Sequence, residues 1–214
     1  MLPLPVRLAF GMDALLVALH LANALPIPPL ASPTLLFDLG VEGNLPTWWA
    51  STQLWTAAAL LGFGARRRGG HPASYAMAAL IGAFSLDEVS RLHERLGAAT
   101  RSELLPVTGL WPVLLAPAAL LVLGVSGWLA RSTWRRDPAG AVWLGGGILG
   151  LLVSAAGIEM IVNFLSLGGD AHFAQVLVEE AGELISGTLI LAGAYRFAVP
   201  PASVGAAVGT RSDG

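Results

Sequence analysis

Apolar residues in this chain gather into long runs, and polar residues are confined to short breaks and a few interior positions. Six runs are long enough to cross ~30 Å of hydrocarbon as helices rising about 1.5 Å per residue: 7–25, 47–65, 73–97, 109–130, 141–167 and 171–198. The pattern predicts an all-α fold, a polytopic bundle of six transmembrane helices over 1–198, followed by a flexible tail over 199–214 that has no periodicity and holds Pro200 and Pro201. Ala22-Asn23-Ala24 resembles a small-residue cleavage site, but Asp13 and His20 interrupt the apolar stretch before it, so the first run is read as a retained span. The connection over 26–46, rich in Pro and carrying Asp38 and Glu42, reads as a surface link.

Composition agrees with the pattern. The chain is 55% hydrophobic and 12% charged, whereas ordinary soluble domains carry roughly 25% charged residues. The absence of Cys excludes disulfides and thiol chemistry, and a net charge of −2 without a basic stripe argues against a nucleic-acid partner. The arginines give a direction. Arg7, Arg66, Arg67, Arg68, Arg131, Arg135, Arg136, Arg196 and Arg211 fall on one side of a six-span bundle, which places both termini in the cytoplasm, with the chain integral to a bacterial cytoplasmic membrane. The acids divide the other way: all but Asp13, Asp137 and Asp213 fall in the outer half or the outer loops.

Three separately encoded acidic stretches arrive at one depth. In the third span Asp87, Ser90 and Glu94 share a helical stripe, with Glu88, Arg91 and Arg95 on the next stripe and His93 flanking the first. In the sixth span His172, Gln175, Glu179, Glu183 and Ser186 form a stripe with Glu180 beside it, and the fifth span contributes Glu159. Counting from the span midpoints puts these acids roughly 3 to 14 Å outside the midplane. Seven carboxylates face Arg91 and Arg95 as fixed cations. A low-dielectric site cannot hold that many bare charges, so some must be protonated, hydrated or neutralised by a bound cation.

The expected site is therefore an outward-side carboxylate and His cavity that binds a cation. Asp87, His93, Glu159 and Glu180 are the candidate ligands of a divalent metal ion, Glu94 and Glu183 the candidate catalytic carboxylates, and Arg91 a counter-charge or an anchor for an anionic head group. One chemistry is metal-dependent catalysis on a lipid-like substrate, with a spare glutamate as general base. A second is proton-coupled cation translocation, which needs an inward path that the apolar inner halves do not offer. A third reading makes the chain an accessory subunit, with membrane lipids, partner membrane subunits or further copies of itself as partners. Gly146, Gly150, Ser154 and Gly157 mark a small-residue face for close helix packing, and Pro112 and Pro117 predict kinks in the fourth span. His20 reads as a hydrogen-bonded core residue, Asp13 as an inner-leaflet anchor, and His71 as a loop residue. The sequence has no phosphate-binding loop, dinucleotide fingerprint, nucleophile elbow or His-Glu-x-x-His zinc helix.

Overall fold

The computed structural model describes residues 2–23, 35–100, 111–133, 137–158, 161 and 170–199. Among them seven α-helices follow one another: α1 (Leu4–Asn23), α2 (Leu45–Arg67), α3 (Pro72–Ser90), α4 (Leu92–Thr100), α5 (Trp111–Thr133), α6 (Pro138–Leu152) and α7 (Asp170–Ala198). A 3-10 turn (Leu35–Phe37) precedes α2, and a π-helical turn (Val153–Ile158) continues α6. No strand occurs among the described residues.

Local chemistry sets the helix ends. Asn44 caps α2 by accepting the Thr47 N–H at 3.3 Å, and Pro46 fits the first turn, where no N–H partner is needed. At the other end Arg66 and Arg67 sit where the helix dipole favours cations. Gly69 and Gly70 then take φ of 88° and 77°, a left-handed pair that lets the Gly70 N–H reach back to the Ala65 carbonyl at 2.8 Å. Asp137 caps α6 through the Gly140 N–H at 3.1 Å, with Pro138 next.

Helix α7 is the hub, packing against α1, α2 and α6, while α3 pairs with α2 and α5 lies against α3 and α6. Their shared core includes Leu54 and Leu61 of α2, Met77 and Ile81 of α3, Val122 and Leu129 of α5, Ile148 of α6 and Ile190 of α7. Side chains as small as hydrogen let α6 and α7 touch. A Cβ on Gly147 would lie 2.7 Å from the Ile190 nitrogen and 2.8 Å from the Ser186 carbonyl oxygen, and one on Gly193 would lie 2.6 Å from the Leu144 nitrogen. The packing face is thus Gly147, Gly150 and Ser154 against Gly182, Ser186, Ile190 and Gly193. This corrects the register expected from the sequence, since a Cβ on Gly146 meets nothing within 4 Å and one on Gly157 meets only Val153 of its own turn.

Three further expectations change. The 73–97 span is not one helix: α3 stops at Ser90, Arg91 takes the left-handed conformation (φ 56°, ψ 40°), and α4 begins at Leu92. The connection before α2 is more than a surface link over its described part, because Leu39 is buried with Leu16 and Leu184 while Asn44 Nδ2 donates to the Asp38 carbonyl at 2.6 Å. By length and apolar composition, two described stretches qualify to cross a membrane, α1 and Pro138–Ile158; a shorter apolar stretch, Ala116–Ser132, lies in α5. The other long helices carry polar or charged residues within them, Gln53 in α2, Asp87 and Glu88 in α3 and the glutamates of α7, and do not meet that standard. The expected tail over 199–214 lies outside the described residues beyond Val199.

Candidate functional site

A cavity of about 130 Å³ opens between α3, α4, α5, α6 and α7. One part of its wall carries Asp87, Glu88, His93 and Glu183; Phe84, Ala118, Leu151 and Ala155 are among the residues that make the rest apolar. Three helix irregularities among the described residues lie beside it. The break at Arg91 releases the chain so that α4 folds back and His93 returns to Asp87, with Nδ1 2.7 Å from Oδ2 and the His93 N–H donating to Oδ1 at 3.1 Å. An uninterrupted helix would carry His93 six residues past Asp87 and off its face. The π-helical turn supplies Ala155 and Ala156, and Pro117 stands immediately before Ala118 and Ala119. A π turn widens a helix and a proline removes a backbone hydrogen bond, so both make room where regular helices would close it.

The carboxylates crowd around Glu183. Glu88 shares the cavity wall with it, and the charges of Glu180, Glu179 and Glu42 also bear on it. The predicted α7 stripe is present. His172 Nδ1 lies 2.9 Å from Gln175 Oε1, and Gln175 Nε2 donates to Glu179 Oε2 at 2.6 Å, so polar side chains run from exposed His172 to the buried Glu179, one turn before Glu183. With Asp87 ionised, His93 Nδ1 carries the proton between them, and the carboxylate fixes the ring's tautomer and orientation.

The model of the family described as a domain of unknown function, DUF8692, matches residues 8–197, a stretch that includes every part of this cavity. The chain belongs to the DUF8692 family. No curated protein and no solved structure matches the chain.

In this DUF8692 chain the expected site residues separate. Asp87, His93 and Glu183 meet at the cavity, and Glu180 stands behind it in the same acidic group. Arg91 is exposed at the helix break, lies off the cavity wall and takes the left-handed conformation that ends α3. Glu159 and the Glu94 side chain lie outside the described residues. Asp87 spends both oxygens on His93, and among the described residues no three His, Asp or Glu groups come together as ligands.

Sequence reasoning missed a second polar centre. Asp13, 3% exposed, joins three helices: Oδ1 accepts from Trp49 Nε1 and Gln53 Nε2, each at 2.8 Å, and Oδ2 accepts from Thr188 Oγ1 at 2.6 Å. It is therefore a knot between α1, α2 and α7, where an inner-leaflet anchor was expected. The available signal was the presence of Gln53 and Thr188 on otherwise apolar faces. His20 is the core residue expected, its Nδ1 accepting the Leu39 N–H at 3.1 Å while its ring stacks on Phe173.

Proposed function

We propose that this DUF8692 chain is a six-span membrane protein whose outer-side cavity binds an amphipathic organic cation. The observation that carries this reading is the composition of one cavity wall: Asp87, Glu88, His93 and Glu183 at one end, with Phe84 and Leu, Ala side chains over the rest. Carboxylates in such surroundings persist as protonated acids or beside a positive charge, and a bound cation supplies the latter. A hydrated metal ion would waste the apolar walls and lacks a ligand set among the described residues. An alkylammonium group satisfies both parts, its charge beside Glu88 and Glu183 and its hydrocarbon beside Phe84 and Leu151.

Membrane embedding is supported by the outward faces. Leu8 and Leu15 of α1, Trp55 and Phe63 of α2, Leu86 of α3, Leu120 of α5, Leu149 of α6 and Val178 of α7 are all exposed. Apolar surface on every long helix is far more than a water-soluble monomer presents in patches of a few hundred Å². Among the described residues, the acids of this cavity's wall are Asp87, Glu88 and Glu183, on its outer side, which favours a site open to one side over a translocation path.

Titration of hexyltrimethylammonium into detergent-purified protein tests the proposal. Saturable binding is expected, weakened at least about tenfold by Glu183→Gln, the loss of one charge-assisted contact. Unchanged binding in Glu183→Gln, or stoichiometric Mg²⁺, Ca²⁺, Mn²⁺ or Zn²⁺ in place of the ammonium ion, would contradict it. Recovery of folded protein only alongside other membrane subunits would favour the accessory-subunit reading.

A further inference from the structure

A second cavity, of about 360 Å³, lies at the arginine-rich end of the bundle, between the α2–α3 turn, the end of α5 and the end of α7. Its walls include Arg68, His71, Ser74 and Phe197, and none of its described lining residues is a carboxylate. Ser74 heads the buried stripe of α3 that continues through Met77, Ile81 and Ser85, so the helix turns its hydroxyl inward at 1% exposure, and that Oγ has no hydrogen-bond partner. His71 Nδ1, also buried, has none either. A buried hydroxyl without a partner costs free energy comparable to a lost hydrogen bond, and two such atoms on one cavity wall point to a missing acceptor.

The surroundings define the chemistry of that acceptor. His71 occupies the cap position of α3 without a side-chain capping bond, so the positive end of a 19-residue helix dipole faces this region. The Arg68 guanidinium is held over the Phe197 ring at 4.5 Å, which fixes its place on the wall. Asp137, the carboxylate of the adjoining region, is engaged by Arg196, with Nη2 2.8 Å from Oδ1 and Nε 3.0 Å from Oδ2. Ser132 is no donor here, because its hydroxyl is given to the Leu129 carbonyl at 2.8 Å. Arg68, whose charge also bears on Asp137, brings positive charge to this wall, beside the Ser74 hydroxyl, the His71 ring and the start of α3.

We propose that this cavity binds a phosphate oxyanion, with Arg68 as the charge partner and Ser74 and His71 as hydrogen-bond donors. The same chemistry is offered by a phospholipid head group and by free phosphate, and its position at the arginine-rich end is within reach of either. It is independent of the acidic cavity and of the ligand proposed there.

The test uses the full chain purified in detergent. Inorganic phosphate is titrated by calorimetry, and retention of phosphatidylglycerol against diacylglycerol, which lacks the phosphate, is read by native mass spectrometry. At least one phosphate-bearing probe is expected to bind, with Arg68→Gln weakening it at least about tenfold and Ser74→Ala or His71→Gln by about three- to tenfold. Binding of inorganic phosphate identifies a soluble source; preference for phosphatidylglycerol alone identifies a head group. Ser74→Ala guards against simple unfolding, since removing an unpartnered buried hydroxyl leaves the melting temperature equal or higher. Absence of both bindings, equal retention of diacylglycerol without phosphate binding, or binding indifferent to Ser74→Ala and Arg68→Gln would overturn the proposal.

Discussion

At Arg91 the backbone takes a conformation that few non-glycine residues adopt. A non-glycine residue in the left-handed region costs about 1 kcal/mol or more, because Cβ crowds the neighbouring carbonyl. The position sits at a helix end where glycine is the usual occupant, its N–H reaching the Asp87 carbonyl at 2.7 Å. Arg91→Gly is expected to raise stability by about 0.5–1 kcal/mol, and Arg91→Val to lower it by a similar amount, both read by thermal unfolding in detergent. A loss on Arg91→Gly would mean that the guanidinium itself holds the site together. That Asp87, His93 and Glu183 gather at one place was legible in the sequence because ionisable residues interrupting apolar runs demand partners. The Asp87–His93 contact was not, since helical periodicity carries no sign of a left-handed residue that is neither Gly nor Asn.

Between elements, the decisive quantity is how closely two backbones approach. In a bilayer, burying Leu gains little over leaving it in lipid, so helix association depends on dispersion contacts and on small residues. Gly147 and Gly146 are adjacent in sequence, yet one touches the α7 backbone and the other faces open space. Gly147→Ala should force α6 and α7 apart and cost about 1–3 kcal/mol. Gly146→Ala should be neutral or stabilising by up to about 1 kcal/mol, through helix propensity. Equal effects on the two melting temperatures would refute this register. The sequence indicated a small-residue face on this helix and included Gly150 and Ser154 correctly, but took Gly146 for Gly147 and added Gly157, because Gly145, Gly146 and Gly147 are consecutive and the contact depends on what α7 offers opposite. The π turn after Leu152 leaves no periodic signature in an almost wholly apolar run.

Across the whole molecule, charge is segregated to the two ends. At the arginine-rich end the hydrogen bonds from Arg196 hold the Asp137 carboxyl below its ordinary value of 3.8; burial opposes them, and the Gly140 N–H and the Arg68 charge assist. A carboxyl depressed in the folded state contributes stability that is complete above its unfolded value and is lost as pH falls through the folded one. Asp137→Asn should therefore lower the melting temperature at pH 7, and its deficit against the wild type should shrink as pH falls below 3.8. A deficit that persists unchanged in acid would show that the Arg196 contact is not electrostatic. The all-α architecture was legible from the apolar runs, and α7 matches its predicted span to within one residue. The hub role of α7 was not, since it follows from which faces meet, through Thr188, Ser186 and Gly193, and from the Asp13 knot that reaches it from α1.

The central claim is that the cavity of Asp87, Glu88, His93 and Glu183 accepts cations from the outer side of a membrane-embedded bundle. Because the chain has no native Cys, a single Ala156→Cys at the cavity wall can be labelled without background. The most direct measurement is the ratio of its labelling rates, in intact vesicles, by a cationic alkylthiosulfonate and by its anionic sulfonate counterpart. A cation preference at least about tenfold greater than at Ala98→Cys, an exposed position in α4, is expected, falling toward that control when Glu88→Gln and Glu183→Gln are added. Equal rates for the two reagents, or a preference unaffected by removing those carboxylates, would contradict it.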